Sequence, residues 1–209
     1  MKKVTIVDYG SGNLHSIAKA LEAVAPRGCR VEVSESADDI LSASYVVLPG
    51  VGAFGDCVNG VRSLEGVEEA LEKVVLQEKK PFLGICVGMQ MLAQEGVEYG
   101  KHRGLGWIKG RVVEIKSLDK QMKIPHMGWN EIGVLRKHPI FQGVNEKSNA
   151  YFVHSFHLEC EEKKDIIAQV EYGYPLTAAI ARENIVAVQF HPEKSQEVGL
   201  KLLGNFLSL

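Results

Sequence analysis

The feature that most restricts the fold of this chain is a cysteine placed between two glycines at the end of an apolar run. Residues 81–90 read PFLGICVGMQ, so Gly-Ile-Cys-Val-Gly at 84–88 precedes residues of helical character. A nucleophile on a sharp strand-to-helix turn needs glycine on both sides, because the turn leaves no room for a Cβ. The helix N-terminus would also favour a thiolate at Cys86. A small buried hydrophobe is the alternative interpretation of this cysteine.

A second motif supplies an imidazole and a carboxylate. Residues 185–195 read IVAVQFHPEKS, an apolar strand followed by His191 and Glu193. Side chains at i and i+2 of an extended segment share a face, so Glu193 is placed to hold the ring in the tautomer that a general base needs. The alternative is an ordinary strand end with a solvated histidine and glutamate.

A third motif is a glycine-rich loop. Residues 45–56 read YVVLPGVGAFGD and pass from a strand into that loop, whose backbone N–H groups are suited to meet an oxyanion. Together the three motifs predict nucleophilic catalysis, with Cys86 as nucleophile, His191 as base and Glu193 as the carboxylate that orients it.

Hydrophobic periodicity predicts an α/β fold. Apolar runs at 4–8, 31–34 and 45–48 alternate with helical patterns, one after the candidate N-cap Asn13 and one over 61–75. This alternation predicts a mostly parallel central sheet with flanking helices, in which ligands bind at the carboxyl ends of the strands. Later strands predict an antiparallel or mixed extension, followed by a last helix around 198–206. The strands predicted there are 107–116, 124–135, 151–160, 166–172, 176–182 and 185–190.

Composition limits the class of protein. A length of 209 residues suits one well-buried domain over 1–209, and the formal charge of −2 gives no reason to expect a nucleic-acid partner. No run approaches the ~18 apolar residues of a membrane span, and the N-terminal apolar run is too short for a signal peptide. The four cysteines lack metal-ligand spacing. We therefore expect free thiols, no metal, no membrane association and a cytoplasmic location.

The three motifs resemble those of the triad, or class I, glutamine amidotransferases, and the resemblance covers essentially the whole chain. Within that class the chain is similar to the glutaminase subunits of imidazole glycerol phosphate synthases. The most discriminating string is PHMGWN at 125–130. The other shared strings are DYGSGN at 8–13, PGVGAFG at 49–55, YFVHS at 151–155 and HPEKS at 191–195.

The resemblance implies a class I amidotransferase-like α/β fold and a glutaminase that needs no cofactor. Cys86 would form a thioester with the side-chain acyl group of glutamine, ammonia would leave, and water would release glutamate. The oxyanion would be met by backbone N–H groups from Val51, Gly52 and Val87. The implied glutamine-binding residues are Gly52, Gln90, Glu98, His154, Ser155 and Phe156.

Two of these binding assignments have open alternatives. Glu95 lies close to Glu98 in sequence, and Glu98 itself would also fit a solvated loop carboxylate. His154 lies in an apolar run and would also fit a satisfied core histidine.

The resemblance further implies a protein partner. Ammonia would pass to a separate (β/α)8-barrel cyclase, which converts a phosphoribulosyl nucleotide of histidine biosynthesis into imidazole glycerol phosphate and an aminoimidazole carboxamide ribotide. L-glutamine and this cyclase, in a heterodimer, are the expected partners. Ordinary packing is the alternative for each candidate interface residue. These candidates are Asn13, Trp129, Asn130, Tyr151 and Lys194.

Three alternative functions remain at this point. One is an amidotransferase subunit that feeds another barrel-type synthase, for example in surface-sugar amidination. Another is a cysteine peptidase or thioester hydrolase on a similar scaffold, against which Gln90 and the close spacing of His191 and Glu193 argue. The third is a non-catalytic regulatory subunit, against which the intact set of Cys86, His191 and Glu193 argues.

Overall fold

A computed structural model of the chain describes residues 2–118, 122–145 and 147–209. The strands there are β1 (Lys2–Val7), β2 (Cys29–Ser34), β3 (Tyr45–Leu48), β4 (Phe82–Ile85), β5 (Glu95–Gly96), β6 (His102–Arg103), β7 (Gly110–Glu114), β8 (His126–Val134), β9 (Asn149–His154), β10 (Phe156–Cys160), β11 (Ile166–Tyr172), β12 (Tyr174–Arg182) and β13 (Ile185–Val188). The α-helices are α1 (Leu14–Val24), α2 (Ala37–Leu41), α3 (Phe54–Ser63), α4 (Val67–Leu71), α5 (Val87–Gln90) and α6 (Gln196–Phe206). A π-helical segment, Glu72–Gln77, continues α4.

The larger sheet has the strand order β2-β1-β3-β4-β13-β12-β11-β8-β9. Its first five strands are parallel neighbours, and the rest pair antiparallel. The predicted parallel sheet with an antiparallel extension is thus confirmed. The parallel pairing of β4 with β13 puts Ile85 opposite Val188, so the cysteine motif and the histidine motif leave neighbouring strands at the same edge.

The core lies on both faces of the parallel part. Every residue of β3, β4 and β13 is buried, as expected for parallel strands covered by helices on both faces. Helix α6 packs its apolar stripe inward through Leu202, Leu203 and Phe206, which confirms the predicted last helix.

A second, smaller sheet has the order β10-β7-β5-β6. The predicted single strand over 151–160 is therefore wrong, because the chain changes sheets at Ser155. Strand β9 before it pairs with β8 in the large sheet, and β10 after it pairs with β7 in the small one. The short strands β5 and β6 and the short helix α2 were not predicted, since so few residues carry no measurable periodicity.

The helix predicted over 61–75 is interrupted. Helix α3 ends at Ser63, and Gly66 has a φ of 71° before α4 begins at Val67. A left-handed residue cannot continue a right-handed helix, although the apolar spacing persists on both sides of it. The strands predicted over 107–116 and 124–135 exist, but only as the shorter β7 and β8.

Within the part of the chain that the structure describes, no helix is long and apolar enough to cross a membrane. The same residues contain no group of three or more His, Cys, Asp or Glu side chains arranged to hold a metal ion.

Candidate active site

Cys86 lies on the sharp turn between β4 and α5. Its φ of 54° is a strained value for a residue other than glycine, and its N–H donates to the Val188 carbonyl at 2.8 Å. A Cβ on Gly88 would lie 1.8 Å from the Leu48 carbonyl oxygen, and one on Gly84 would lie 2.9 Å from the Gly88 oxygen. The backbone therefore approaches too closely for a side chain at either glycine of the predicted elbow.

The helix after the elbow is shorter than its sequence pattern indicates. Met91 and Leu92 are buried in the core as predicted, but α5 is a single turn that ends at Gln90. A helix this short carries little dipole, so α5 contributes little to the electrostatic field at the Cys86 sulfur.

His191 and Glu193 are buried together behind the cysteine. The distance from His191 Nδ1 to Glu193 Oε1 is 2.7 Å, and both side chains are almost inaccessible to solvent. This contact leaves Nε2 of the imidazole for Cys86. The i and i+2 spacing thus brings the ring and the carboxylate into contact, although a short 3-10 turn at Pro192–Lys194 replaces the extended backbone expected there.

Asn13 supports this pair from another segment. Its carboxamide Nδ2 donates to Glu193 Oε1, the oxygen that also contacts His191. The prediction that Asn13 caps α1 is wrong, because its φ is 73° and its side chain makes no capping hydrogen bond. A capping residue adopts extended backbone, which this left-handed conformation excludes.

The surroundings of the imidazole favour its protonated form. Burial alone would lower the pKa of His191, but the neighbouring Cys86 and the hydrogen-bonded Glu193 outweigh burial and raise the pKa to about 9. An imidazolium next to the sulfur favours the thiolate form of Cys86, which is the reactive form of a cysteine nucleophile.

The cysteine and the histidine face a cavity of about 300 Å³. The structure brings most of the sequence-predicted site residues to this cavity, and Pro125 and Val153 complete its wall. The predicted residues that line it are Val51, Gly52, Cys86, Val87, Gln90, Glu98, His154, Ser155, Phe156 and His191.

Two N–H groups of the predicted oxyanion site are already occupied. The Val87 N–H donates to the Gly50 carbonyl at 3.3 Å, and the Val51 N–H donates to Ser11 Oγ at 2.9 Å. In this conformation both N–H groups have acceptors within the chain, so the prediction that they meet an oxyanion requires a different orientation of the loop. The Gly50 carbonyl and the Val51 N–H, which make these two hydrogen bonds, belong to one peptide group. Rotation of that peptide would free the Val87 N–H and turn the Val51 N–H around.

Gln90 is buried, and both hydrogens of its amide are used. Its Nε2 donates to the Phe156 carbonyl at 2.8 Å and to Gln189 Oε1 at 3.1 Å. Its Oε1 is thus the atom left for a ligand.

Of the two candidate carboxylates, Glu98 is the one on the cavity. Its Oε2 accepts the Phe54 N–H at the start of α3, at 2.8 Å. Glu95 instead forms an ion pair with Lys101, with a distance of 2.7 Å between Nζ and Oε2.

The side chain of His154 belongs to the core, whereas the residue itself lines the cavity. Its Nδ1 is 3.0 Å from the Phe156 carbonyl, which can only accept, so Nδ1 carries the hydrogen. Its Nε2 then accepts from His126 Nδ1 at 3.0 Å. Burial lowers the pKa of His154 to about 3 and that of His126 to about 4, so both rings are neutral.

Three of the predicted interface residues form an aromatic cluster on the surface. The rings of Trp129 and Tyr151 meet edge to face at 6.1 Å, and Lys194 Nζ lies 5.8 Å from the centre of the Tyr151 ring. Asn130 is different, because its Nδ2 is engaged within the chain, at 3.0 Å from the Glu171 carbonyl and 3.1 Å from His126 Nε2.

Two polar residues of the site were missed from the sequence. Gln189 is fully buried, and its Nε2 is 3.7 Å from the Cys86 sulfur. Its position two residues before His191, on the same face of an extended segment, was a signal that could have found it. Ser11 had no comparable signal, since its contact with Val51 joins two loops that are distant in sequence.

The chain is similar to known amidotransferases over nearly its full length. Residues 5–208 match the family described as "Glutamine amidotransferase class-I". The "Imidazole glycerol phosphate synthase subunit HisH" of Rhodospirillum rubrum is 52% identical, and that of Mesorhizobium japonicum is 48% identical, each match covering 98% of both chains. A chain from the structure of PurLQS from Thermotoga maritima shares the fold, with a TM-score of 0.73 at 20% identity over 99% of this chain and 98% of that one. The chain therefore belongs to the class I glutamine amidotransferases and, within them, to the HisH glutaminase subunits of imidazole glycerol phosphate synthase.

Proposed function

We propose that this chain hydrolyses glutamine through a thioester on Cys86 and passes the ammonia to the cyclase subunit of the synthase in histidine biosynthesis. The observation that carries the proposal is a cysteine on a strained elbow, beside a protonated His191 that is hydrogen-bonded to Glu193, at one cavity. Acyl transfer needs this combination of nucleophile, proton donor and orienting carboxylate.

The reaction divides into acylation and deacylation. The Cys86 thiolate attacks the side-chain amide carbon of glutamine, and the His191 Nε2 proton passes to the departing nitrogen, so that ammonia leaves and the thioester remains. The neutral imidazole then takes a proton from water as the water attacks the thioester carbonyl. Collapse of that adduct releases glutamate and restores the thiolate–imidazolium pair. Glu193 stabilises the imidazolium whenever it is present and orients the neutral ring during the attack by water.

Substrate glutamine would occupy the 300 Å³ cavity with its side-chain carbonyl towards the elbow. Gln90 Oε1 and the Glu98 carboxylate are acceptors suited to the α-ammonium group, since the amide hydrogens of Gln90 are already used. The backbone of His154, Ser155 and Phe156 forms the opposite wall.

Activity would depend on the peptide between Gly50 and Val51. In the observed conformation this peptide occupies the Val87 N–H and directs its own N–H to Ser11, so the oxyanion lacks both donors. Removal of one oxyanion donor typically costs 10²–10³ in rate, so the chain alone should turn over slowly. Rotation of the peptide when the partner and its ligand bind would supply both donors together.

The aromatic cluster of Trp129, Tyr151 and Lys194 is the surface we assign to the cyclase. Trp129 is 50% exposed and Met127 beside it is 62% exposed, which is unusual for such large apolar side chains. Aromatic residues with a neighbouring cation are typical of the energetic centre of protein interfaces. Asn13 contributes through Glu193 and is a positioning residue more than a contact residue.

The test is glutamate release from glutamine by the chain alone and by the chain mixed with a barrel cyclase and its nucleotide ligand. We expect slow release from the chain alone and at least a hundredfold faster release from the complete mixture. Stimulation by a different synthase, but not by the cyclase, would overturn the histidine-pathway assignment and keep the glutaminase chemistry.

The nucleophile is tested with Cys86→Ala in the same complex. This variant should release no glutamate, yet the complex should still form product from added ammonium salts. Cys29→Ala, at the half-buried edge strand β2, is the matched control and should retain glutamine-dependent synthesis. Loss of ammonia-dependent synthesis in Cys86→Ala would mean that Cys86 supports the structure of the complex and is not the nucleophile.

A further inference from the structure

We infer that Gln189 is a positioning residue for the nucleophile, and that its carboxamide N–H holds and stabilises the Cys86 thiolate. This inference rests on the proposed function, because it concerns the same nucleophile. Gln189 follows β13 directly, its side chain is fully buried, and its Nε2 is 3.7 Å from the Cys86 sulfur. A buried polar side chain with no access to solvent persists only where its hydrogen bonds are made.

The orientation of this carboxamide follows from a fixed acceptor. A backbone carbonyl accepts and never donates, so the Phe156 carbonyl, 2.8 Å from the end of Gln90, requires the NH₂ group of Gln90 on that side. The same NH₂ group lies 3.1 Å from the Gln189 side chain, which must therefore present its oxygen. The NH₂ group of Gln189 is then left to point at the sulfur. The Phe156 carbonyl thus sets the orientation of the Gln90 carboxamide, and Gln90 sets that of Gln189. As a result, the Cys86 sulfur faces an N–H donor.

The backbone at both ends of this chain of hydrogen bonds is held in place. The Gln189 N–H donates to the Ala178 carbonyl at 2.8 Å, so the residue cannot move away from β12. The Phe156 carbonyl also receives the Nδ1–H of His154, which fixes the position of that oxygen. The donor on the sulfur is therefore preorganised and does not depend on a ligand.

The chemical consequence concerns the protonation of the cysteine. A hydrogen bond to the charged form of a group favours that form, and a thiolate in a buried site has few other donors. The one-turn helix α5 contributes little dipole, so the Gln189 donor and the neighbouring His191 imidazolium are the groups that would stabilise negative charge on the sulfur. Tyr9 and Cys57 also interact electrostatically with Cys86, but burial raises the pKa of both, so neither is charged at neutral pH. Loss of the Gln189 donor should reduce the thiolate fraction at neutral pH.

Two substitutions at this position separate the donor role from a role in packing. Gln189→Met keeps the volume and removes every polar contact. Gln189→Glu keeps the shape and still accepts from Gln90, but presents a second carboxylate oxygen to the sulfur in place of the N–H. A carboxylate beside the sulfur repels a thiolate whatever the parent residue does, so Gln189→Glu shows only that position 189 faces the sulfur. Gln189→Met decides the donor role, because it removes the N–H and adds no charge.

The experiment measures the rate at which iodoacetamide alkylates Cys86 in the full chain between pH 5 and 10. Mass spectrometry of the Cys86 peptide separates it from the three other free thiols. We expect alkylation at pH 7 to fall about tenfold in Gln189→Met, and the pH of half-maximal rate to rise by about one unit. Gln189→Glu should shift further in the same direction. Gln169→Met, on strand β11 and away from the cavity, is the matched control and should leave the profile unchanged.

The alkylation profile of Gln189→Met decides the inference. A profile unchanged in that variant would overturn it, and a profile unchanged in Gln189→Glu would overturn it too, because position 189 would then not face the sulfur. If Gln189→Met fails to fold, Gln189→Leu, which also removes the N–H without adding a charge, gives the answer. The readout needs no glutamine turnover, so an inactive parent chain would refute the proposed function while the alkylation profiles still decide the role of Gln189.

Discussion

Ser11 Oγ accepts a 2.9 Å hydrogen bond from the Val51 N–H and so holds the peptide between Gly50 and Val51 with its N–H turned towards the first loop of the chain. Ser11 is itself buried and Val51 is exposed, so this hydrogen bond is partly shielded from solvent. The peptide that is best placed to supply an oxyanion donor is therefore stabilised in an orientation that cannot supply one. A residue of the β1–α1 loop thus sets the resting state of the proposed catalytic site.

Ser11→Ala should raise the basal glutaminase rate of the isolated chain about fivefold. The substitution removes one partly buried hydrogen bond, worth about 1 kcal/mol, from the resting orientation of the peptide. The rate of the full complex should change little, so the stimulation ratio should fall by the same factor. Glutamate release with and without the partner measures both numbers. Ser16→Ala, on the exposed side of α1, is the control, and an unchanged basal rate in Ser11→Ala would contradict the prediction.

Gly88→Ala should lower the free energy of unfolding by about 3 kcal/mol or more. The new Cβ would lie 1.8 Å from the Leu48 carbonyl oxygen, and a backbone atom cannot rotate away. The matched control is Gly204→Ala, inside α6. Its new Cβ would meet only the Cβ of Val24, at the end of α1, at 3.7 Å. That change should stabilise the chain by about 0.5–1 kcal/mol. Urea unfolding at pH 7 measures both, and equal effects of the two substitutions would refute the explanation by close approach.

The chain should lose stability as the pH falls from 6.5 towards 4. Burial holds the pKa of His126 near 4 and that of His154 near 3 in the folded state, whereas both sit at their ordinary value of 6.5 in the unfolded chain. In this window the unfolded state binds protons that the folded state does not, so each unit of pH removes stability. His154→Asn should flatten the slope of unfolding free energy against pH by about one proton.

The measurement is urea unfolding at half-unit intervals of pH over that window. His15→Asn, which removes an exposed histidine from α1, is the control. An unchanged slope of unfolding free energy against pH in His154→Asn would mean that His126 and His154 do not cause the loss of stability at acid pH.

Features that depend on local backbone were predictable from the sequence. Gly84 and Gly88 flank Cys86 within five consecutive residues, so the elbow could be predicted, although the atoms that leave no space for a Cβ at Gly88 belong to Leu48 and Pro49. The alternation of strands and helices was equally accessible, since a strand buried on both faces reads as a short apolar run wherever it occurs.

Features that depend on contacts between distant segments could not be predicted from the sequence. Ser155 divides what reads as one apolar strand, because β10 finds a partner in the small sheet and β9 finds one in the large sheet. Asn13 looks like a helix cap from its neighbours, but its carboxamide is drawn to Glu193. Occupation of the Val87 and Val51 N–H groups depends likewise on which loops meet, and periodicity contains no information about that.

The pairing of β4 with β13 has a consequence for the synthesis of the chain on the ribosome. Cys86 and His191 leave neighbouring strands, and the Cys86 N–H is bound to the Val188 carbonyl, although half the chain is translated between them. Until residues 185–191 emerge, the elbow has neither the strand that supports it nor the imidazole that activates its sulfur. The growing polypeptide therefore carries an ordinary thiol, and its reactivity arises in one step when the late strand inserts between β4 and β12.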